Sequence, residues 1–123
     1  MSNTSKYKYN IRFIGNFDIF KKETIGKLNI INNQNNHSKT LIIALNYSGS
    51  EDIITAANLF KNNKNKKMHF SDFLSISQYP SPDLLIRTGG CKRLSDFFLF
   101  QMSFTEFFFT KTLWPNLKYD SID

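Results

Sequence analysis

Apolar residues fall in short runs separated by stretches rich in Asn, Lys and Ser. Ile11-Arg12-Phe13-Ile14, closed by Gly15, predicts a first short β-strand bounded by a breaker. From Asp18 onward Phe20, Ile25, Leu28 and Ile31 recur at roughly helical spacing, and Glu23 and Lys27 stand four apart for a favourable pair. That pattern predicts a helix of about three turns, ending in the Asn-rich loop Asn32 to Asn36. Leu41-Ile42-Ile43-Ala44-Leu45 is continuous rather than alternating, the signature of a strand covered on both faces in a parallel sheet.

Ser50 can cap a second helix with Glu51 and Asp52 in its first turn and Ile53, Ala57 and Phe60 along one face. A short helical segment is expected over Ser71 to Ile76. Pro80 and Pro82 then break the chain before Asp83-Leu84-Leu85-Ile86, a second buried strand. Next comes Arg87-Thr88-Gly89-Gly90, after which Ser95 can cap a helix that begins at Asp96 and runs through Phe100 and Met102. Thr105-Glu106-Phe107-Phe108-Phe109 is rich in β-formers, and Trp114-Pro115 ends the pattern. Strands alternating with helices argue for an α/β fold with a partial, mostly parallel sheet flanked by helices. With 123 residues the chain is one domain at most.

Charge adds a preference for anions. Sixteen basic residues against ten acidic give +6, which suits a phosphorylated substrate, nucleic acid or a membrane surface. The Lys run at Lys61, Lys64, Lys66 and Lys67 reads as a solvated helix end, and the aromatic residues do not interleave with it as a stacking platform would. A small basic nucleic-acid binder is therefore only an alternative reading. Cys91 is the one cysteine, so neither an intrachain disulfide nor a CxxC pair can form, as suits a reducing compartment; cytoplasm is expected. Met1 to Asn10 lack the apolar segment of a secretory signal and no window is long enough to span a membrane, so any membrane contact is expected to be peripheral. His37 and His69 have no ligand-spaced partner, and Trp114 and the thirteen Phe read as core or as contacts to a partner subunit.

The chemistry concentrates in nine positions. Ligands of open α/β sheets bind beyond the carboxyl ends of strands, where Arg87 is expected to stand. Gly89 and Gly90 permit geometries that turn N–H groups toward an anion, and a helix starting at Ser95 would add its N-terminus. Arg87, Arg93 and Ser95 together make a clamp for a diphosphate, because guanidinium matches phosphate oxygens in bidentate fashion. The same spacing also allows Arg87 to pair with Asp83, Arg93 to be solvated and Ser95 to be only a cap. Spacing alone does not choose.

Asp83-Leu-Leu-Ile-Arg-Thr-Gly-Gly-Cys-Lys-Arg-Leu-Ser-Asp-Phe-Phe-Leu-Phe-Gln101, with Thr105-Glu106 and Thr112-Leu-Trp-Pro115, resembles the cis-prenyltransferase family, whose bacterial members include undecaprenyl diphosphate synthase. The likeness extends to Ala44-Leu45-Asn46-Tyr47-Ser48-Gly49 and Arg12-Phe13-Ile14-Gly15, and covers most of the chain from Tyr9 to Asn116. The resemblance implies a fragment of the cis-prenyltransferase fold in which Arg87, Arg93, Ser95 and the backbone at Leu94 hold the diphosphate of isopentenyl diphosphate. It further implies that Glu106 helps bind Mg²⁺, which takes few carboxylates plus phosphate oxygens and water. Family members also carry an Asp-Gly-Asn-Gly-Arg loop for the allylic prenyl diphosphate, and the 123 residues contain none; Cys91 stands for a usual acidic residue and Ser48 for a usual Gly. The chain thus reads as the C-terminal portion of a cis-prenyltransferase, inactive by itself. It is expected to work as a homodimer or with a separate N-terminal half. A non-catalytic partner subunit is the alternative.

Overall fold

A computed structural model describes residues 9–118 and 120. The chain divides into two compact units, with the boundary between Tyr47 and Ser48. The first holds β1 (Asn10–Ile14), α1 (Lys22–Asn32) and β2 (Thr40–Ala44). β1 and β2 pair in parallel, with Asn10 opposite Thr40 and Ile14 opposite Ala44. Parallel neighbours require a crossover, which α1 supplies while burying Leu28. Its Glu23 and Lys27 form the expected pair, 2.6 Å apart on the exposed face and worth about 0.3–0.5 kcal/mol. Helix α1 begins at Lys22 rather than near Asp18: the Asp18 N–H is taken by Asn16 Oδ1 and the Phe20 N–H by the Phe17 carbonyl, which closes a turn first.

Asparagines finish this unit. Asn32 accepts from the Phe13 N–H at 2.7 Å and donates to the Phe13 carbonyl at 3.0 Å, so its amide pairs with the backbone of β1 as another strand would. Buried Asn10 accepts from the Asn36 and His37 N–H groups and donates to Asn35 and to the His37 carbonyl. A buried amide is tolerable only when satisfied in this way.

The second unit holds α2 (Gly49–Asn62), a 3-10 turn at Phe70–Phe73, β3 (Leu84–Arg87), β4 (Glu106–Phe109) and a 3-10 turn at Trp114–Asn116. Ser48, not Ser50, caps α2, its Oγ accepting from the Glu51 N–H at 3.2 Å. The buried face of α2 runs through Gly49 and Ala56, whereas Ala57 is exposed. Phe60 meets Phe70 edge-on at 6.4 Å and Phe73 at 6.0 Å, and Phe70 meets Phe100 at 5.2 Å. The helical expectation for Ser71 to Ile76 reduces to the Phe70–Phe73 turn, followed by buried Leu74 and Ile76.

β3 and β4 are parallel, with Leu84 opposite Glu106 and Arg87 opposite Phe109. Parallel pairing is as expected, but burial is not: no residue of either strand is buried, and Leu41 of β2 and Leu84 of β3 are about half exposed. Among the described residues each strand has one partner in a two-stranded sheet, so its other edge is open, and no layer buries both faces of these apolar runs. Trp114 and Phe104 are exposed rather than core.

Candidate functional site

Arg87 is the last residue of β3, as expected, and the chain leaves the strand through two glycines. Gly89 and Gly90 have φ of +85° and +83°, a region L side chains rarely adopt. Their N–H groups donate to the Thr112 and Thr110 carbonyls. They therefore hold this exit against the end of β4 and are spent as anion donors, contrary to the expectation that they would face a ligand.

The segment after them is not a helix. Residues 95–104 run through turns and bends, with Ser95, Asp96 and Phe98 at φ of +52°, +62° and +44°. Non-glycine residues in this region cost about 1–3 kcal/mol each and persist only where their surroundings determine them. Ser95 is therefore no helix cap, and no helix N-terminus contributes to the site. Two sets of contacts over-determine this backbone instead.

On one side the Arg87 guanidinium donates from Nη1 to the Arg93 carbonyl and to Ser95 Oγ, the latter at 2.8 Å. Arg87 is not locked in an ion pair with Asp83; the one ion pair among the described residues is Lys27 with Glu23. On the other side the Asp96 carboxylate accepts from Ser48 Oγ, from Ser50 Oγ at 2.7 Å and from the Ser50 N–H at 3.0 Å. The Asp96 carbonyl accepts from the Gly49 N–H at 2.6 Å. Donation from the Ser48 and Ser50 hydroxyls, and then from the Ser50 amide, holds the Asp96 carboxyl below the usual carboxylate range against an opposing effect of burial.

The structure thus brings Arg87 and Ser95 together. The Arg93 guanidinium is exposed and makes no hydrogen bond or ion pair among the described residues, while its carbonyl accepts from Arg87. The Leu94 N–H has no acceptor among the described residues, leaving a backbone donor next to the Ser95 hydroxyl. One fixed guanidinium, one free guanidinium, a hydroxyl and an unspent N–H suit the many acceptor oxygens of a diphosphate.

Glu106 lies apart from this group, opening β4 opposite Leu84. No group of three or more His, Cys, Asp or Glu converges among the described residues. The resemblance asks only one carboxylate for Mg²⁺, and Glu106 is exposed to supply it, about three strand residues from Phe109, the partner of Arg87. Sequence reading missed Asp96 and the two serines at the start of α2, because their contacts connect positions 46 to 48 apart.

A family model for undecaprenyl diphosphate synthases matches residues 1–123. The chain is 36% identical to a Coxiella burnetii ditrans,polycis-undecaprenyl-diphosphate synthase, over 96% of this chain and 54% of that protein. It is 37% identical to an isoprenyl transferase of Aquifex pyrophilus over 86% of this chain and 48% of the relative. Among solved structures, a probable undecaprenyl diphosphate synthase from Campylobacter jejuni superposes with a TM-score of 0.80 at 27% identity, covering 97% of this chain and 58% of that one. Lavandulyl diphosphate synthase from Lavandula x intermedia, solved with dimethylallyl diphosphate, gives 0.79 at 32% identity over 95% and 56%. The chain spans about half the length of the relatives it matches.

Proposed function

From the premise that this chain belongs to the undecaprenyl diphosphate synthase family, we propose that Arg87, Arg93, the Leu94 backbone and Ser95 bind the diphosphate of isopentenyl diphosphate during cis-prenyl transfer. The contact that carries this reading is Arg87 Nη1 to Ser95 Oγ at 2.8 Å, just past the end of β3. It holds a cation and a hydroxyl side by side before any ligand arrives. Each charge-assisted hydrogen bond to phosphate contributes about 1.5–3 kcal/mol, and ordering the guanidinium in advance lowers the entropy lost on binding.

In the reaction, the double bond of isopentenyl diphosphate attacks C1 of an allylic prenyl diphosphate. The C1–O bond breaks, its electron pair leaves on pyrophosphate, and loss of a proton from the added unit creates the cis double bond. The part assigned to these residues is to hold the nucleophilic substrate by its charged end, so that its double bond meets C1 in a fixed orientation. Positioning of this kind removes much of the cost of a bimolecular encounter. Because the 123 residues contain no Asp-Gly-Asn-Gly-Arg loop for the allylic diphosphate, the polypeptide by itself is proposed to bind diphosphate but to turn over little. A second copy of the chain is the proposed cover for exposed Phe104 and Trp114. No helix among the described residues is long and apolar enough to cross a membrane, and cytoplasm is the proposed location.

Calorimetry of the isolated chain with isopentenyl diphosphate tests the proposal. Arg87→Ala and Arg93→Ala are each expected to weaken binding by about tenfold or more. Unchanged affinity in both variants would refute it.

A further inference from the structure

The Arg87 contacts account for only one of the two sets that hold Ser95. The residue after it, Asp96, sends its carboxylate to Ser48 and Ser50 and its carbonyl to Gly49, all at the first turn of α2. Its carboxylate thereby offsets the unpaired N–H groups of a helix start, which favours a negative charge there. A Cβ on Gly49 would lie 2.8 Å from the Asp96 carbonyl oxygen and 3.1 Å from Leu99 Cγ. The turn and the helix are therefore in close backbone contact at Gly49.

Ser95 and Asp96 share a left-handed backbone, which neither residue type prefers. Releasing the Asp96 anchor would let both relax, and the Ser95 hydroxyl would leave Arg87. We propose that Asp96 is a positioning residue: its attachment to Ser48 and Ser50 holds Ser95 in the conformation that presents its hydroxyl beside Arg87 to a diphosphate. This rests on the diphosphate reading above and adds to it a residue outside the anion's reach.

Asp52 provides an internal control on the same helix. Its carboxylate accepts from the Ser75 N–H at 3.0 Å, Ser75 Oγ at 2.9 Å and Gln101 Nε2 at 3.1 Å, a comparable set of bonds that does not involve Ser95. Asparagine at position 96 keeps an acceptor for the Ser50 N–H and hydroxyl, so it should preserve the turn.

The experiment is titration of the chain with inorganic pyrophosphate, with thermal unfolding recorded for each variant. Asp96→Ala is expected to weaken pyrophosphate by about tenfold, Asp96→Asn by less than about threefold, and Asp52→Ala by less than about twofold despite a similar loss of thermal stability. Ser50→Ala, which removes one of three donors, should fall between wild type and Asp96→Ala, and decides the matter if the latter does not fold. Wild type that ignores pyrophosphate overturns the diphosphate reading and this inference together. Binding by wild type with equal affinity in Asp96→Ala, or in Ser50→Ala if that variant must decide, overturns the positioning role alone. Equal weakening by Asp52→Ala and Asp96→Ala overturns it too, since that is loss of stability and not of position.

Discussion

Gly49→Ala is the most demanding test of how α2 meets the turn after Ser95. The new Cβ would lie 2.8 Å from the Asp96 carbonyl oxygen and 3.2 Å from the Leu99 backbone nitrogen, whereas ordinary contact begins near 3.4 Å. Leu99 Cγ, at 3.1 Å, can rotate away; the two backbone atoms cannot. Retreat of the helix would stretch the 2.6 Å hydrogen bond from the Gly49 N–H to that same carbonyl. Overpacking of this kind costs about 1–3 kcal/mol, and the reduced freedom of the unfolded chain returns about 0.5–1 kcal/mol. The net expectation is destabilisation by about 1–2 kcal/mol, or a fall in Tm of about 4–8 °C for a chain of this size. Gly26→Ala is the matched comparison, because a Cβ at Gly26 in α1 meets nothing within 4 Å. There the same substitution should stabilise by about 0.5–1 kcal/mol. Circular dichroism melts of the two variants and wild type read both values. A Gly49→Ala chain as stable as wild type would refute the close packing of α2 on the turn.

Two further outcomes follow from the geometry. Because hydrogen bonding lowers the Asp96 carboxyl pKa in the folded chain, its contribution to stability is present above the unfolded value, near 3.8, and is lost as pH falls through the lower folded value. The gap in urea midpoint between wild type and Asp96→Asn should therefore be widest at pH near 7 and narrow as pH falls below about 3.8; a gap that is constant with pH would contradict the assignment. Glu106→Gln, which removes the single carboxylate proposed for Mg²⁺, should lower the Mg²⁺ dependence of pyrophosphate affinity by more than about twofold; a smaller change in calorimetry would remove Glu106 from the site.

Much of this architecture is legible from residue order, since it depends on local pattern. The apolar runs at Ile11, Leu41 and Leu84 become strands, the helical spacing at Ile25 and Leu28 becomes α1, and Arg87 ends β3. Pattern also suffices for the parallel α/β class and for the family, because the residues that carry the resemblance, Asp83 to Gln101, are contiguous. Burial of the strands is another matter: a continuous apolar run reports capacity to be covered, while cover depends on how many strands and helices lie alongside.

The sharpest divergence is at Ser95-Asp96. A serine followed by an aspartate is a favourable helix start on local grounds, and nothing within a few residues argues otherwise. The turn wins because Ser48, Gly49 and Ser50 offer Asp96 a hydrogen-bonded seat from 46 to 48 positions away, while Arg87 holds the preceding residues from the end of β3. Thus the sequence alone determined the pattern of strands, the family and a run of basic and hydroxyl side chains whose chemistry suits an anion. Tertiary structure decided which of them meet, because contacts between segments distant along the chain outweigh the preferences of each segment by itself.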